Sequence, residues 1–401
     1  MTSTAPSVAG HHGRLSQLWT TIFSDTPGLI WTLLVFNTMP FFGGSVLPIP
    51  TLIGKVLPMG ALLVAFWLAL AWNSSQLIRP SVILTLFSLL ALAALTSSVR
   101  LDAGPGALWR CTRLILFIAT LWLLTPAWRE PLALVRAHLR ACLAVQALIV
   151  LGVLVTGGRS LRPRLVGAIW PMTWSQVAQF GAIGTGLVVA LWLTGEVSGR
   201  TVRLIVPGSL VIAFLAHSRT ALFGLIAGLL VAAGTAYLGS RRAGRFLGGM
   251  AVVAAAGAFL ASPLVLAWLQ RGQTSEGIAQ LSGRTVVWDN LLAQPRTLEQ
   301  RVFGHGLSDK GFEGRPIDNA WLAVYHEQGY LGLAIFLAVF VVLLFSLVSA
   351  RPSPSRTVAA FLLTYLAVVS YTEVGFGDAS PHLLMAVLAA ALLVRPGGAE
   401  P

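Results

Sequence analysis

Three arginines, Arg164, Arg219 and Arg284, each stand in a short polar pattern within an otherwise apolar chain. The patterns are Arg164-Leu165-Val166-Gly167 with Pro171 after it, Ser218-Arg219-Thr220-Ala221, and Ser282-Gly283-Arg284-Thr285-Val286-Val287-Trp288. A guanidinium stays charged and forks onto phosphate oxygens through two parallel hydrogen bonds, so three of them gathered together would clamp a polyanion. Further along come Gly304-His305-Gly306 and Asp318-Asn319-Ala320-Trp321-Leu322, which runs into Glu327-Gln328-Gly329-Tyr330-Leu331-Gly332. A positioned carboxylate or imidazole can take the proton of an attacking hydroxyl. Asp318 is the leading candidate for that base and His305 another, although Asp318 would serve equally well as the N-cap of a helix beginning at Asn319. His217, beside Arg219, and Arg162, two positions before Arg164, are candidates for further phosphate contacts. Glu327 lies in an apolar helix, where an unpaired carboxylate is expensive, and an arginine is its expected partner.

The elements that must position these residues are membrane helices. The chain is 56% hydrophobic and 10% charged, with a mean hydropathy of +0.80, far too apolar for a soluble core of 401 residues. A crossing takes about 20 largely apolar residues. Twelve segments qualify: 28–44, 56–73, 80–98, 107–126, 134–157, 176–195, 203–218, 220–239, 246–269, 320–348, 357–373 and 379–394. The expected fold class is therefore all-α, a polytopic membrane protein. Its parts are a polar tail over 1–27, helices over 28–269, a large loop over 270–318, three more helices over 319–395 and a short tail over 396–401. That loop, from Arg271 to Asp318, carries six of the 27 basic residues.

Placing the N-terminus inside puts thirteen arginines, from Arg14 to Arg395, on the inner side and only Lys55, Arg100, Arg159, Arg162, Arg164 and Arg219 in the short outer connections. The bias has the expected sign for two cytoplasmic tails and an outer 270–318 loop. Arg164, Arg219 and Arg284 run against that bias, which points to a polyanion at the outer surface. Arg100, Arg159 and Arg296 are better explained by snorkelling or pairing with lipid phosphate. The formal charge of +13 does not imply nucleic acid, because the cations are spread over membrane loops rather than clustered on a soluble face. Cys111 and Cys142 both fall inside helices and imply neither a disulfide nor a metal site.

The ordered series over roughly 160–335 resembles the O-antigen ligase and polymerase superfamily of bacterial membrane glycosyltransferases. The resemblance implies a multi-pass protein of the bacterial cytoplasmic membrane whose site faces the periplasm. It also implies inverting transfer of a glycan from an undecaprenyl-diphosphate-linked donor to a lipid-linked acceptor sugar, with no cofactor or metal. Membrane lipids, a flippase and a chain-length regulator are the accompanying partners. Arg164, Arg219 and Arg284 then become the diphosphate clamp, and Trp321, Tyr325 and Asn319 residues that could stack on or support the sugar. An interfacial aromatic belt accounts for Trp321 and Tyr325 as well. Where ligases carry His-Asn this chain reads Asp318-Asn319, which favours a repeat-unit polymerase over a ligase acting on lipid A core. A lipid-linked oligosaccharide flippase would share the basic outer loops, but would show an internal repeat and cations inside the spans rather than at their ends; no repeat is seen, and the large outer insert would lack a purpose.

Overall fold

The computed structural model describes residues 25–42, 46–75, 77–237, 240–260, 283–308 and 310–394, with backbone alone at 237 and 253–260. Both tails and the stretch 261–282, which includes the start of the 270–318 loop and Ser282, lie outside the described residues. A helix lies over each apolar segment as far as it is described: α1 Thr26–Thr38, α2 Thr51–Trp72, α3 Val82–Arg100, α4 Pro105–Leu123, α5 Pro131–Val155, α6 Trp174–Leu193, α7 Gly199–Leu215, α8 Arg219–Tyr237 and α9 Arg241–Leu260. The loop region adds two short helices, α10 Arg284–Ala293 and α11 Leu298–Phe303, and a two-residue antiparallel hairpin, β1 Gly311–Phe312 with β2 Arg315–Pro316. The chain closes with α12 Ala320–Ser349, α13 Pro354–Ser370 and α14 Pro381–Leu393.

Seven of these helices, α2 to α6, α8 and α12, are long and apolar enough to cross a membrane, and α13 and α14 are shorter apolar helices. The protein is thus all-α and built for a bilayer. Helix ends follow local chemistry. The first segment stops at Met39, before Pro40, because proline cannot supply the next amide. Ser81, Ser198, Ser353 and Ser380 cap α3, α7, α13 and α14, each accepting from a backbone amide three residues on. The α13 helix ends at Ser370, three residues short of the expected limit, so Glu373 falls in the connection that follows.

Helix α6 is the most enclosed of the long helices, with 89% of its apolar window buried. It packs against α5, α7, α8 and α13. Small residues permit this closeness: a Cβ on Gly181 would meet the Ser209 carbonyl of α7 at 2.7 Å, and one on Gly186 would strike the Phe361 ring of α13. Gly224 and Gly228 of α8 do the same toward Tyr365 and Phe361, so both glycine pairs mark tight helix packing. Cys111 and Cys142 are free thiols in the core.

Helix α12 is broken rather than continuous. Gly329 has φ 65° and ψ −161°, a conformation glycine adopts at little cost. A Cβ there would also lie 2.4 Å from the Val302 carbonyl. Residues 330–349 remain long enough to span about 30 Å by themselves. The segment 320–328 forms a separate arm whose freed carbonyls need new donors. Gly304-His305-Gly306 provides them: the His305 and Gly306 amides donate to the His326 and Glu327 carbonyls, each at 2.9 Å. The two glycines therefore serve close approach of one backbone to another, not to a substrate, since a Cβ on Gly304 would sit 2.4 Å from the Gln328 amide.

Candidate active site

The sequence disperses Arg164, Arg219, Arg284, His217 and Asp318 over more than a hundred positions; the fold brings all five to one cavity of about 400 Å³. Trp174, Ser175, Ser218, Thr220, Gly283, Val287, Arg315, Pro316 and Glu373 complete its wall. The volume is within the range of small-ligand pockets.

Three helices begin at this wall. Trp174 and Ser175 open α6, Arg219 and Thr220 open α8, and Arg284 opens α10 after Gly283. Helix N-termini present unpaired amides and a partial positive charge, which favours anions. Placing Arg219 and Arg284 there adds cation to cation, an arrangement unfavourable by itself. Arg164 and Arg284 lie close enough to Arg219 to repel it. Such self-repulsion is tolerable where an anion fills the centre.

Each arginine is held by identifiable local structure. The Leu165 amide donates to the Leu215 carbonyl and Val166 to Ser160, pinning the loop that carries Arg164. The Arg164 guanidinium lies 4.9 Å from the Trp174 ring centre, a cation–π contact. Trp288, one turn beyond Arg284, donates through Nε1 to the Ile317 carbonyl at 2.6 Å and meets Tyr371 edge-on. The Gly-Arg-Thr-x-x-Trp pattern is thus an anchored helix turn: the tryptophan fixes the helix and the arginine faces the cavity. His217 and Asp318 both have positive φ, 53° and 45°, uncommon for non-glycine residues and found where a structure over-determines a functional position.

Asp318 is not an N-cap. Asn319 caps α12, accepting from the Leu322 amide at 3.0 Å and donating through Nδ2 to the Tyr371 carbonyl. This leaves Asp318 to pair with Arg284, Nε to Oδ2 at 3.1 Å, both side chains about one quarter exposed. Glu373, 8% exposed, lines the same cavity, next to Thr372, whose hydroxyl meets that of Thr220 at 2.6 Å. Burial pushes the Glu373 carboxyl up to about 7; Asp318 acts in the same direction, while Arg284 and Ser175 pull against them.

Several candidates stand elsewhere. Arg162 is exposed and does not line the cavity. His305 does not line it either: its ring stacks on His326 at 4.8 Å. Burial lowers its imidazole pKa; the hydrogen bond to the His326 carbonyl opposes this and nearby Arg296 adds to it. Glu327 forms no ion pair with an arginine among the described residues. It is fully buried, and its Oε1 accepts from the Ser308 amide and hydroxyl at 2.9 and 3.1 Å, because the helix break draws the 304–308 strand against it. Trp321 donates to Ser370 and packs on Phe336 and Phe340, so its faces are occupied by protein. Tyr325 receives the Arg296 guanidinium at 4.5 Å, and Arg296 also reaches His326 at 3.3 Å; it is tied into the protein rather than snorkelling. Gln328 is buried and donates to the Gly377 carbonyl. Arg100 and Arg159 keep loose surface contacts with Glu299 and the Thr156 carbonyl.

Arg315, Glu373, Ser175 and Thr220 escaped the sequence reading. Glu373 had a usable signal, a carboxylate at the end of an apolar segment; Arg315 had none, since nothing in sequence distinguishes it from the other cations of its loop. Compared with known proteins, the chain matches no family model and no curated protein at a significant level.

Proposed function

We propose that this protein is an integral-membrane, inverting glycosyltransferase that moves a glycan from an undecaprenyl-diphosphate donor to a lipid-linked acceptor sugar, acting as a polysaccharide repeat-unit polymerase. In this reading all twelve apolar segments cross the bacterial cytoplasmic membrane, both tails are cytoplasmic, and the cavity opens to the periplasmic side. The observation that carries it is the meeting of Arg164, Arg219 and Arg284 at one cavity. Four arginines with two carboxylates around that cavity leave an excess positive charge suited to the about two negative charges of a bridging diphosphate.

The chemistry requires that the bond between the anomeric carbon and the carrier phosphate break while the acceptor oxygen attacks from the opposite face. Negative charge grows on the departing diphosphate oxygen. Fixed guanidiniums and helix N-termini in a partly enclosed site stabilise it without reorganising at the moment of reaction. The acceptor proton passes to a group of the cavity wall. The Asp318-Asn319 pair in place of His-Asn favours polymerisation over delivery to lipid A core.

The test is incubation of the purified full-length protein with carrier-linked repeat units extracted from a host strain lacking it. A ladder of products carrying successive repeats is expected, together with release of undecaprenyl diphosphate. A single transfer onto lipid A core with no ladder would make the protein a ligase. No transfer to either acceptor, combined with no binding of undecaprenyl diphosphate, would remove the reading.

A further inference from the structure

Two carboxylates face the cavity, and their surroundings differ. Asp318 is committed to Arg284, Nε to Oδ2 at 3.1 Å, so that carboxylate oxygen is already engaged. Glu373 is in no ion pair among the described residues. It sits past the C-terminal end of α13, where the helix dipole disfavours negative charge, and it is buried in the wall. From this geometry we propose that Glu373 accepts the proton of the acceptor hydroxyl, and that Asp318 is a positioning residue which holds Arg284 toward the donor diphosphate. The assignment rests on the glycan-transfer reading above.

The step balances as a displacement. The acceptor oxygen forms a bond to the anomeric carbon; the bond from that carbon to the phosphate oxygen breaks, and its electron pair leaves with the carrier diphosphate. The hydroxyl proton moves to a Glu373 carboxylate oxygen and is passed to water when the product leaves. A base works best when its pKa lies near the operating pH, and burial holds the Glu373 carboxyl at about 7. Only the ionised carboxylate can accept a proton, so turnover falls as the pH drops through that value. The groups facing Glu373 are Asp318 and Arg284 from the loop region, Ser175 from α6 and Tyr365 from α13, with Arg164, His217, Arg219 and Arg315 around the remaining wall.

The experiment follows ladder formation against pH for the full-length protein in liposomes, and binding of undecaprenyl diphosphate by thermal shift. E373Q should lose turnover by roughly 10²- to 10⁴-fold, the usual contribution of a general base, while still binding undecaprenyl diphosphate. E373D should keep part of the rate with a displaced acid limb. D318N should weaken diphosphate binding and move the acid limb to lower pH without removing it, because the Asp318 charge helps hold the Glu373 carboxyl up, and H217Q should retain the wild-type limb. E373Q turning over with an unchanged limb would overturn the assignment, as would loss of the limb in D318N or H217Q. Should E373Q not fold, E373D and H217Q decide it by whether the limb moves. Failure of wild-type protein both to bind undecaprenyl diphosphate and to form a ladder sinks the transfer reading and this assignment together. An active wild type with an indifferent E373Q sinks the assignment alone.

Discussion

Two polar regions interrupt this apolar bundle, and they treat their charges in opposite ways. At the break in α12, Glu327 is sealed from solvent with Ser308 bonded to it, His305 stacks on His326, Arg296 lies on Tyr325, and backbone amides of 305 and 306 satisfy the freed carbonyls. At the cavity, Arg164, Arg219, Arg284 and Arg315 face shared open space with only Asp318 and Glu373 to offset them. The first region turns most of its polar groups onto one another and so holds the fold, although Glu327 Oε2, Gln328 Oε1 and Arg296 Nη1 have no hydrogen-bond partner among the described residues. The second gathers four arginines and two carboxylates around open space, the excess of positive charge on which the proposed diphosphate site rests. What separates the two regions is an excess of one sign of charge around open space, not the completeness of hydrogen bonding.

Substitutions can break that contrast. The largest effect is expected at the cavity: R219A or R284A should reduce transfer by roughly 10²- to 10³-fold, the scale of losing one charge-stabilising donor. The unfolding temperature should change little, because both side chains face the cavity and removing either relieves repulsion among the arginines, which in R284A offsets the lost pair with Asp318. A parallel collapse of stability would merge the two regions into one structural network. Gly329→Ala should act the other way, since its Cβ meets the Val302 carbonyl at 2.4 Å on a backbone with φ 65°. A loss of about 1–3 kcal/mol is expected for backbone held in such a region, read as a lower unfolding temperature with transfer per folded molecule preserved.

A stability loss of the same order is expected at Glu327. Removing its side chain in E327A leaves the part-buried Ser308 amide without its acceptor, at a cost of about 1–3 kcal/mol, whereas E327Q keeps an amide oxygen there and should be milder in the same denaturation measurement. Smallest of all should be H305A and R162A, whose side chains do not line the cavity. Initial rates of ladder formation, corrected for folded protein, should stay near wild type. A loss beyond about tenfold, roughly 1.4 kcal/mol of barrier, would move either residue into the functional region.

Much of the cavity was legible because its arginines violate a local expectation. Arg164, Arg219 and Arg284 each run against the charge bias expected for an inward N-terminus and stand in short polar patterns, so each is anomalous in its own neighbourhood before any contact is known. His305 and Glu327 looked equally anomalous, and both were misread. A histidine between glycines and a carboxylate in an apolar run have the same sequence appearance whether they meet a substrate or a broken helix, and Gly329 gives no sign by composition alone that α12 breaks there. Asp318 was placed correctly at the helix start, but the cap is Asn319, a one-residue distinction decided by the positive φ of Asp318.

Helix location and membrane character were determined by the sequence itself, because hydropathy, serine caps and proline stops act within a few residues and need no distant partner. Tertiary structure alone decided which cations share a cavity, that Arg315 and Glu373 join them, and that Asp318 is taken by Arg284. Those outcomes depend on how α6, α8, α10 and α13 pack, and thus on glycine clearances and on the Trp288 anchor. Coulombic coupling between side chains remote in the chain arises only when packing sets their separation.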